Sequence, residues 1–242
     1  MNFYSQISFF YDEMTRFDKR IESERPVFEN ILKKYPARCV LDAGCGSGLH
    51  SILLAQMGIE VDGFDLSREM LDLAIRNAET NRVTPGFTKA DFLNYPDYIH
   101  KLYDAVFCLG NSLVHLITLK DQRVALQNFK DSLQKDGYLC IQILNYDKIL
   151  REKREILVDI EVGDRKITRS YTYKARTIDF TVTTKFAGRS SKSTTELYPM
   201  TYNELTDLLF QAGFKDLYAY GSLKLESFDS QNSENLCLFC FA

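Results

Sequence analysis

The sequence predicts an α/β fold, a mostly parallel sheet with helices on both faces and an inserted antiparallel β region. Three observations carry this. Short apolar runs at residues 39–42, 59–65, 87–90, 105–109 and 138–144 alternate with amphipathic segments of helical period. Those runs are too apolar for half-exposed strands, as expected where helices cover both faces. Residues 156–198 break the rhythm and alternate with a period of two (Ile167, Arg169, Tyr171, Tyr173; then Ile178, Phe180, Val182, Thr184, Phe186), which is the antiparallel pattern.

Each element has a local reason. Residues 1–20, rich in aromatics and charge, read as a helical or irregular lead-in. Val27, Phe28, Ile31 and Leu32 form one stripe of a helix over 26–35. The strand at 39–42 runs into a glycine turn, and the helix after it ends at Met57, closed by Gly58. Ser67 caps a helix that reaches Ala78. A helix over 121–134 stops at the turn pair Asp136-Gly137. Thr201 and Glu204 form a capping box for a helix ending near Gly213. Strands at 216–221 and 235–241 finish the sheet, with an antiparallel pair at its edge as one arrangement. No repeat or Pro/Gly linker divides the 242 residues, so 1–242 is expected to be one domain, with 151–200 as its antiparallel insertion.

Composition narrows the function. Hydrophobic residues make up 45% and charged residues 26%, enough apolar material for a full core. Thirty Lys and Arg against 33 Asp and Glu give a net charge of −3, without the positive footprint of a nucleic-acid binder. No apolar run approaches a membrane span, and the start lacks a signal-peptide pattern, so a soluble cytoplasmic protein is expected. Six cysteines are read as buried and reduced. Cys237 and Cys240 form a CxxC within a strand, where alternation sends them to opposite faces and argues against a shared metal. No metal site is expected.

The strongest chemical signal is VLDAGCGSG at residues 40–48, on the first strand-to-helix turn. Gly44, Gly46 and Gly48 remove side chains so that a ligand can approach backbone N–H donors. The spacing is G-x-G-x-G; a dinucleotide turn needs glycine where Leu49 stands, and no P-loop motif occurs. A mere tight turn is the plain alternative. Asp65 ends the second strand 17 residues past Gly48, where a carboxylate can accept ribose hydroxyls. Asp91 and Phe92 end the third, offering an acceptor for an amino group and a wall for a base. Both aspartates could instead simply start helices. Taken together, the strand ends describe a pocket for a nucleoside that carries a small zwitterion and no phosphates.

Through VLDAGCGSG, VDGFDLSREML (61–71), ADF (90–92) and YDAVFCLGNSLVHL (103–116), residues 38–150 resemble the class I S-adenosylmethionine-dependent methyltransferases. The resemblance implies a Rossmann-like, seven-stranded sheet with its last strand inserted antiparallel, and S-adenosylmethionine as cofactor. It implies that the turn Gly44, Cys45, Gly46 and Gly48 holds the methionine part and Asp65 the ribose. Leu66 and Phe92 would flank the adenine, Asp91 would meet its amino group, and Leu109 would join the wall. CLGNSLVHL (108–116) and LNYDKIL (144–150) are similar to the glycine N-methyltransferases and the glycine/sarcosine methyltransferases. That likeness implies that Asn111 and Asn145 face an acceptor amine and that Arg20, taken to precede the first helix, meets the cofactor carboxylate.

The implied reaction is N-methylation of a small amino-acid-type amine. Alternatives are a small-molecule O-methyltransferase, with His115 as general base, or a non-catalytic cofactor-binding protein. Tyr11, with Tyr4, is expected to close the acceptor pocket and assist there. Arg169, Tyr171 and Tyr173 share a strand face, where a guanidinium between phenols can grip an acceptor carboxylate, or the face can be an ordinary exposed one. The oligomeric state stays open, with a homo-oligomer among the options.

Overall fold

The computed structural model describes residues 3–162 and 164–242. Helix α1 (Phe3–Thr15) opens the chain, and Phe3, Ile7, Phe10 and Met14 make its buried stripe at helical spacing. Helix α2 (Phe17–Lys34) begins nine residues earlier than periodicity over 26–35 suggests, with Pro26 inside it. Burial of Phe17, Ile21, Phe28 and Ile31 on one face outweighs the backbone hydrogen bond that proline removes.

The alternation then follows: β1 (Cys39–Ala43), α3 (Leu49–Gln56), β2 (Glu60–Asp65), α4 (Arg68–Thr80), β3 (Gly86–Lys89), β4 (Tyr103–Cys108), α5 (Leu119–Asp131), β5 (Leu133–Leu144) and α6 (Tyr146–Glu152). Ser67 caps α4, its hydroxyl accepting from the Met70 N–H at 3.3 Å. β5 starts five residues before the expected 138. Leu133 already pairs with Tyr103, and the register then shifts by three residues before Tyr138 pairs with Ala105, with Asp136 at φ 66° inside the irregular stretch.

Four strands, β6 (Ile156–Val162), β7 (Arg165–Tyr173), β8 (Ile178–Phe186) and β9 (Arg189–Leu197), form a separate antiparallel sheet in sequential order. Helix α7 (Tyr202–Gln211), opened by the Thr201–Glu204 capping box, leads to β10 (Lys215–Tyr220) and β11 (Asn235–Phe241).

The main sheet has seven strands in the order β10-β11-β5-β4-β1-β2-β3. β11 runs antiparallel between β5 and β10; the other neighbouring pairs are parallel. Side-chain alternation sorts two cores. Leu41, Val106, Leu139, Ile141 and Leu238 point toward Phe129 of α5 and Leu209 of α7. Val40, Phe107, Tyr138 and Phe239 point toward Phe28 and Ile31 of α2 and Leu53 of α3. Cys237 and Cys240 fall into opposite cores, and all six cysteines are free and buried.

The order of strands puts the carboxyl ends of β1, β2 and β4 side by side, with β1 in the middle. A ligand crevice belongs at such a place in an open α/β sheet. The antiparallel sheet and α1 lie over it, joined to each other by a small core of Phe3, Ile7, Phe10 and Met14 against Ile167 and Val182. No helix among the described residues is long and apolar enough to cross a membrane.

Candidate active site

The floor of the site is the turn after β1. The backbone N–H groups of Gly44 and Cys45 both donate to the Phe64 carbonyl at 2.9 Å, tying the turn to β2. Gly44 has φ 76°, and a Cβ there would stand 3.1 Å from the Ser112 side chain and 3.2 Å from the Phe92 ring, so a side chain is excluded on two grounds. Gly48 works differently. A Cβ on it would meet Ala74 at 3.0 Å and Phe87 at 3.2 Å, so this glycine lets α3 and α4 approach and does not line the chamber.

Asp65, at the end of β2, closes the turn from the side. One carboxylate oxygen accepts the Gly46 N–H at 3.0 Å and the other the Ser67 N–H at 2.8 Å. Burial pushes its pKa up, and these two backbone donors pull against that shift. The Asp91 carboxylate accepts the N–H groups of Leu93 and Asn94 at 2.8 and 2.9 Å, capping the short turn that follows β3. Phe92 packs edge-on against Phe64 and Phe129, Leu66 stands 56% exposed at the rim, and Leu109 is buried in the wall.

These residues surround a chamber of about 340 Å³, within the size range of small-molecule sites. Gly44, Cys45, Gly46, Asp65, Leu66, Asp91, Phe92, Leu109 and Arg20 all line it. Among the described residues lining it, Arg20 is the one Lys or Arg, short of the cation cluster a polyphosphate would require. The bare backbone, the strand-end carboxylates and the aromatic wall instead suit a nucleoside with a short zwitterionic tail. S-adenosylmethionine fits these residues.

Arg20 stands inside α2, not ahead of the first helix. Its Nε is 2.6 Å from Glu24, and its Nη2 is 3.5 Å from His50 Nε2. Burial pushes the Glu24 carboxyl up, but hydrogen bonds and charge from His50 and Arg20 outweigh it and hold it at about 2. His50, for which the sequence offered no functional signal, lines the chamber as Arg20's neighbour.

A second cleft, of about 570 Å³, adjoins the first and shares Phe3, Tyr4, Tyr11, Arg20, Gly110 and His115 with it. Tyr4 and Tyr11 hang from α1 into this shared throat, edge-on with ring centres 6.2 Å apart. The Tyr4 hydroxyl is 2.9 Å from His115 Nε2, and Thr195 of β9 is 3.5 Å from Nδ1. Burial lowers the His115 pKa to about 4, so the ring is neutral at pH 7 with both nitrogens engaged. Burial raises the pKa of Tyr4 and Tyr11, which keeps both phenols protonated.

Asn111, at φ 68° after β4, accepts the Leu144 N–H at 3.0 Å and donates to the Tyr146 hydroxyl at 3.0 Å. It faces the cleft with part of its amide engaged. Asn145 also lines the second cleft. Only 1% exposed, it accepts the Lys148 N–H at the start of α6 and donates to the carbonyls of Ser230 and Ser233 at 3.1 and 2.9 Å. Its amide nitrogen is engaged in holding α6 to the loop before β11. Tyr146, beside it in the same motif, makes the contact to Asn111. Thr195 was invisible in sequence because β9 arrives only through the antiparallel sheet.

Arg169 of β7 lines the second cleft, its Nε buried without a hydrogen-bond partner. Burial lowers its pKa, and the neighbouring Tyr11 and Tyr171 phenols act against that shift. Tyr171 and Tyr173 pack edge-on at 6.2 Å on the same strand face, with the Tyr173 hydroxyl donating to the Arg154 carbonyl. No group of three His, Cys, Asp or Glu side chains able to hold a metal occurs among the described residues.

The parallel sheet, the bare turn and the carboxylates at successive strand ends define a Rossmann-like nucleoside site of the methyltransferase class. A methyltransferase-domain family profile matches residues 40–137. The glycine/sarcosine N-methyltransferase of Parasynechococcus marenigrum is 30% identical over 220 residues, covering 87% of this chain and 75% of that protein. The glycine N-methyltransferase of Rattus norvegicus is 31% identical over 209 residues, covering 75% and 71%. The glycine/sarcosine N-methyltransferase of Aphanothece halophytica is 39% identical over 142 residues; the match covers 59% of this chain and 54% of that protein, so the chain spans about half its length. Among solved structures, an S-adenosylmethionine-dependent methyltransferase from Clostridium acetobutylicum superimposes with a TM-score of 0.82 over 99% of both chains, at 15% identity, a likeness of fold. The chain belongs to the class I S-adenosylmethionine-dependent methyltransferases, in the family of the glycine and glycine/sarcosine N-methyltransferases.

Proposed function

We propose that this chain catalyses transfer of a methyl group from S-adenosylmethionine to the nitrogen of a small amino-acid-type amine, as the names of its glycine/sarcosine relatives suggest. The observation that carries the reading is the shared throat. Two chambers, one suited to a nucleoside and one holding a cation that meets no carboxylate among the described residues, share Tyr4, Tyr11, Gly110 and His115. Bound S-adenosylmethionine supplies a methyl already activated on sulfur, so alignment and exclusion of water are what the protein must add.

In this proposal the bare turn makes room for the methionine portion and Arg20 holds its carboxylate, with Glu24 and His50 fixing the guanidinium. Asp65 accepts the ribose hydroxyls, Asp91 the adenine amino group, and Leu66, Phe92 and Leu109 enclose the base. Tyr11 and Asn111 orient the acceptor, and Asn145 positions α6 behind it. The single-domain reading of 1–242, with the insertion at 151–200 as cover, fits the seat of β7 to β9 over the throat.

An amine must be neutral to attack, and His115 is a weak base with both nitrogens taken. The amine therefore loses its proton to solvent before it is enclosed. An O-acceptor would need a stronger base at this place, which disfavours that alternative. A small acceptor, no nucleic acid and no membrane accord with the net charge and the enclosed cleft, and six free cysteines favour the cytoplasm.

The test is calorimetry with S-adenosylhomocysteine followed by transfer of labelled methyl to glycine, sarcosine and related amines. Label on nitrogen supports the reading. Tight cofactor binding with label on oxygen only, or with no transfer to any amine, overturns it.

A further inference from the structure

The acceptor cleft is large for the substrates in the relatives' names. At about 30 Å³ per water, its 570 Å³ is on the order of nineteen water volumes. Glycine, with five non-hydrogen atoms, would fill a small part of it and leave most of the wall wet. That wall is apolar: Ile7, Leu144, Ile149, Leu157, Phe180 and Leu197 line it, from α1, β5, α6, β8 and the insertion. Apolar surface of this extent gains from a ligand that covers it.

The charges in the cleft are sorted. Lys148 pairs with Glu234, Arg154 with Glu152 at 3.0 Å, and Arg20 with Glu24 at 2.6 Å. His115 is neutral. Arg169 is left, its Nε buried, flanked by the Tyr11 and Tyr171 phenols. A half-buried guanidinium that meets no carboxylate among the described residues is costly, and a ligand carboxylate would relieve it with charge-assisted bonds. Tyr11 belongs to both chambers whereas Arg169 lines the acceptor cleft alone, so an anion held between them sits next to the throat. From there the open volume runs along the apolar wall toward Tyr173 and α6.

We infer that the acceptor is an amine carboxylate bearing a bulky apolar or aromatic body, its carboxylate on Arg169 and its body along the apolar wall, so that such amino acids are preferred to glycine and sarcosine. The inference rests on the N-methyltransferase reading above. It makes Arg169 and the Tyr11 and Tyr171 hydroxyls the determinants of the carboxylate requirement, while the wall sets size.

The experiment uses the full chain with S-adenosylmethionine and an acceptor series: glycine, sarcosine, leucine, phenylalanine, and phenethylamine, which lacks the carboxylate. Expected is a kcat/KM at least tenfold higher for leucine or phenylalanine than for glycine. Arg169→Gln should raise the KM for phenylalanine at least tenfold and leave that for phenethylamine unmoved, with partial recovery in Arg169→Lys. Retained S-adenosylhomocysteine affinity in both variants reports that they are folded; should they fail to fold, the wild-type series decides alone. Glycine or sarcosine as the best acceptor overturns the inference while leaving N-methylation standing. A phenylalanine-to-phenethylamine ratio untouched in folded Arg169→Gln also overturns it. Cofactor binding with no transfer to any amine removes the reading underneath, and the inference with it.

Discussion

Replacing Asp65 by alanine is the most direct probe of the nucleoside pocket. An ionised carboxylate offers about four lone-pair positions, and here the N–H groups of Gly46 and Ser67 take two. The Leu66 N–H also supports the carboxylate, and the acceptor capacity that remains can take ligand hydroxyls. Charged hydrogen bonds contribute roughly 1.5–3 kcal/mol each when their loss strands a partner. Hydroxyls that regain water on release recover part of that, which puts the net loss at about 2 kcal/mol, or about a thirtyfold rise in Kd. The assay is calorimetry with S-adenosylhomocysteine at a temperature well below the variant's melting point, with the melting curve measured separately. Loss of the Gly46 and Ser67 contacts lowers Tm, whereas loss of the ribose contacts appears in Kd for the protein that is folded. Asp65→Asn, which keeps shape and one acceptor oxygen, should fall between. An unchanged Kd in Asp65→Ala would refute the ribose assignment, whatever happens to Tm.

Three further outcomes are expected. Gly44→Ala should lower stability by about 1–3 kcal/mol for a non-glycine residue at positive φ, and should also weaken S-adenosylhomocysteine binding at least tenfold because its Cβ crowds Ser112 and Phe92. Gly58→Ala, at φ 82° with open space around it, should show the strain in Tm but leave Kd alone. His115, its pKa lowered by burial from 6.5 to about 4, binds its proton more readily in the unfolded chain. Its contribution to stability is therefore complete above pH 6.5 and is lost as the pH falls toward 4, roughly 3 kcal/mol in all. Melting curves across that window should flatten in His115→Asn; an equally steep acid limb in the variant would contradict the buried, neutral ring.

The nucleoside half of the site was legible because it is local. Gly44 and Gly46 are needed where a backbone turns sharply beneath a ligand, and Asp65 and Asp91 end strands whose apolar runs announce them. Gly48 looked like part of the same cradle and is not, since a glycine that admits a ligand and one that admits a neighbouring helix read alike in one dimension. Asn145 and Tyr146 show the same limit. The motif marked the spot, but which of the two side chains is used up by backbone groups depends on the loop before β11, 84 or more residues away.

By itself the sequence determined the architecture and the cofactor class. Hydrophobic period, capping residues and bare turns act over a few residues, and a doubly covered parallel sheet follows from them almost without choice. Tertiary structure alone decided the acceptor side. Its walls come from α1, β5, α6 and the antiparallel sheet, and no local rule says that Arg169 ends up half-buried beside Tyr11, 158 positions earlier in the chain, with no carboxylate among the described residues to meet it. Burial and the pairing of charges are properties of the packed assembly, and they are what turn an alternating strand into a place for a ligand's anion.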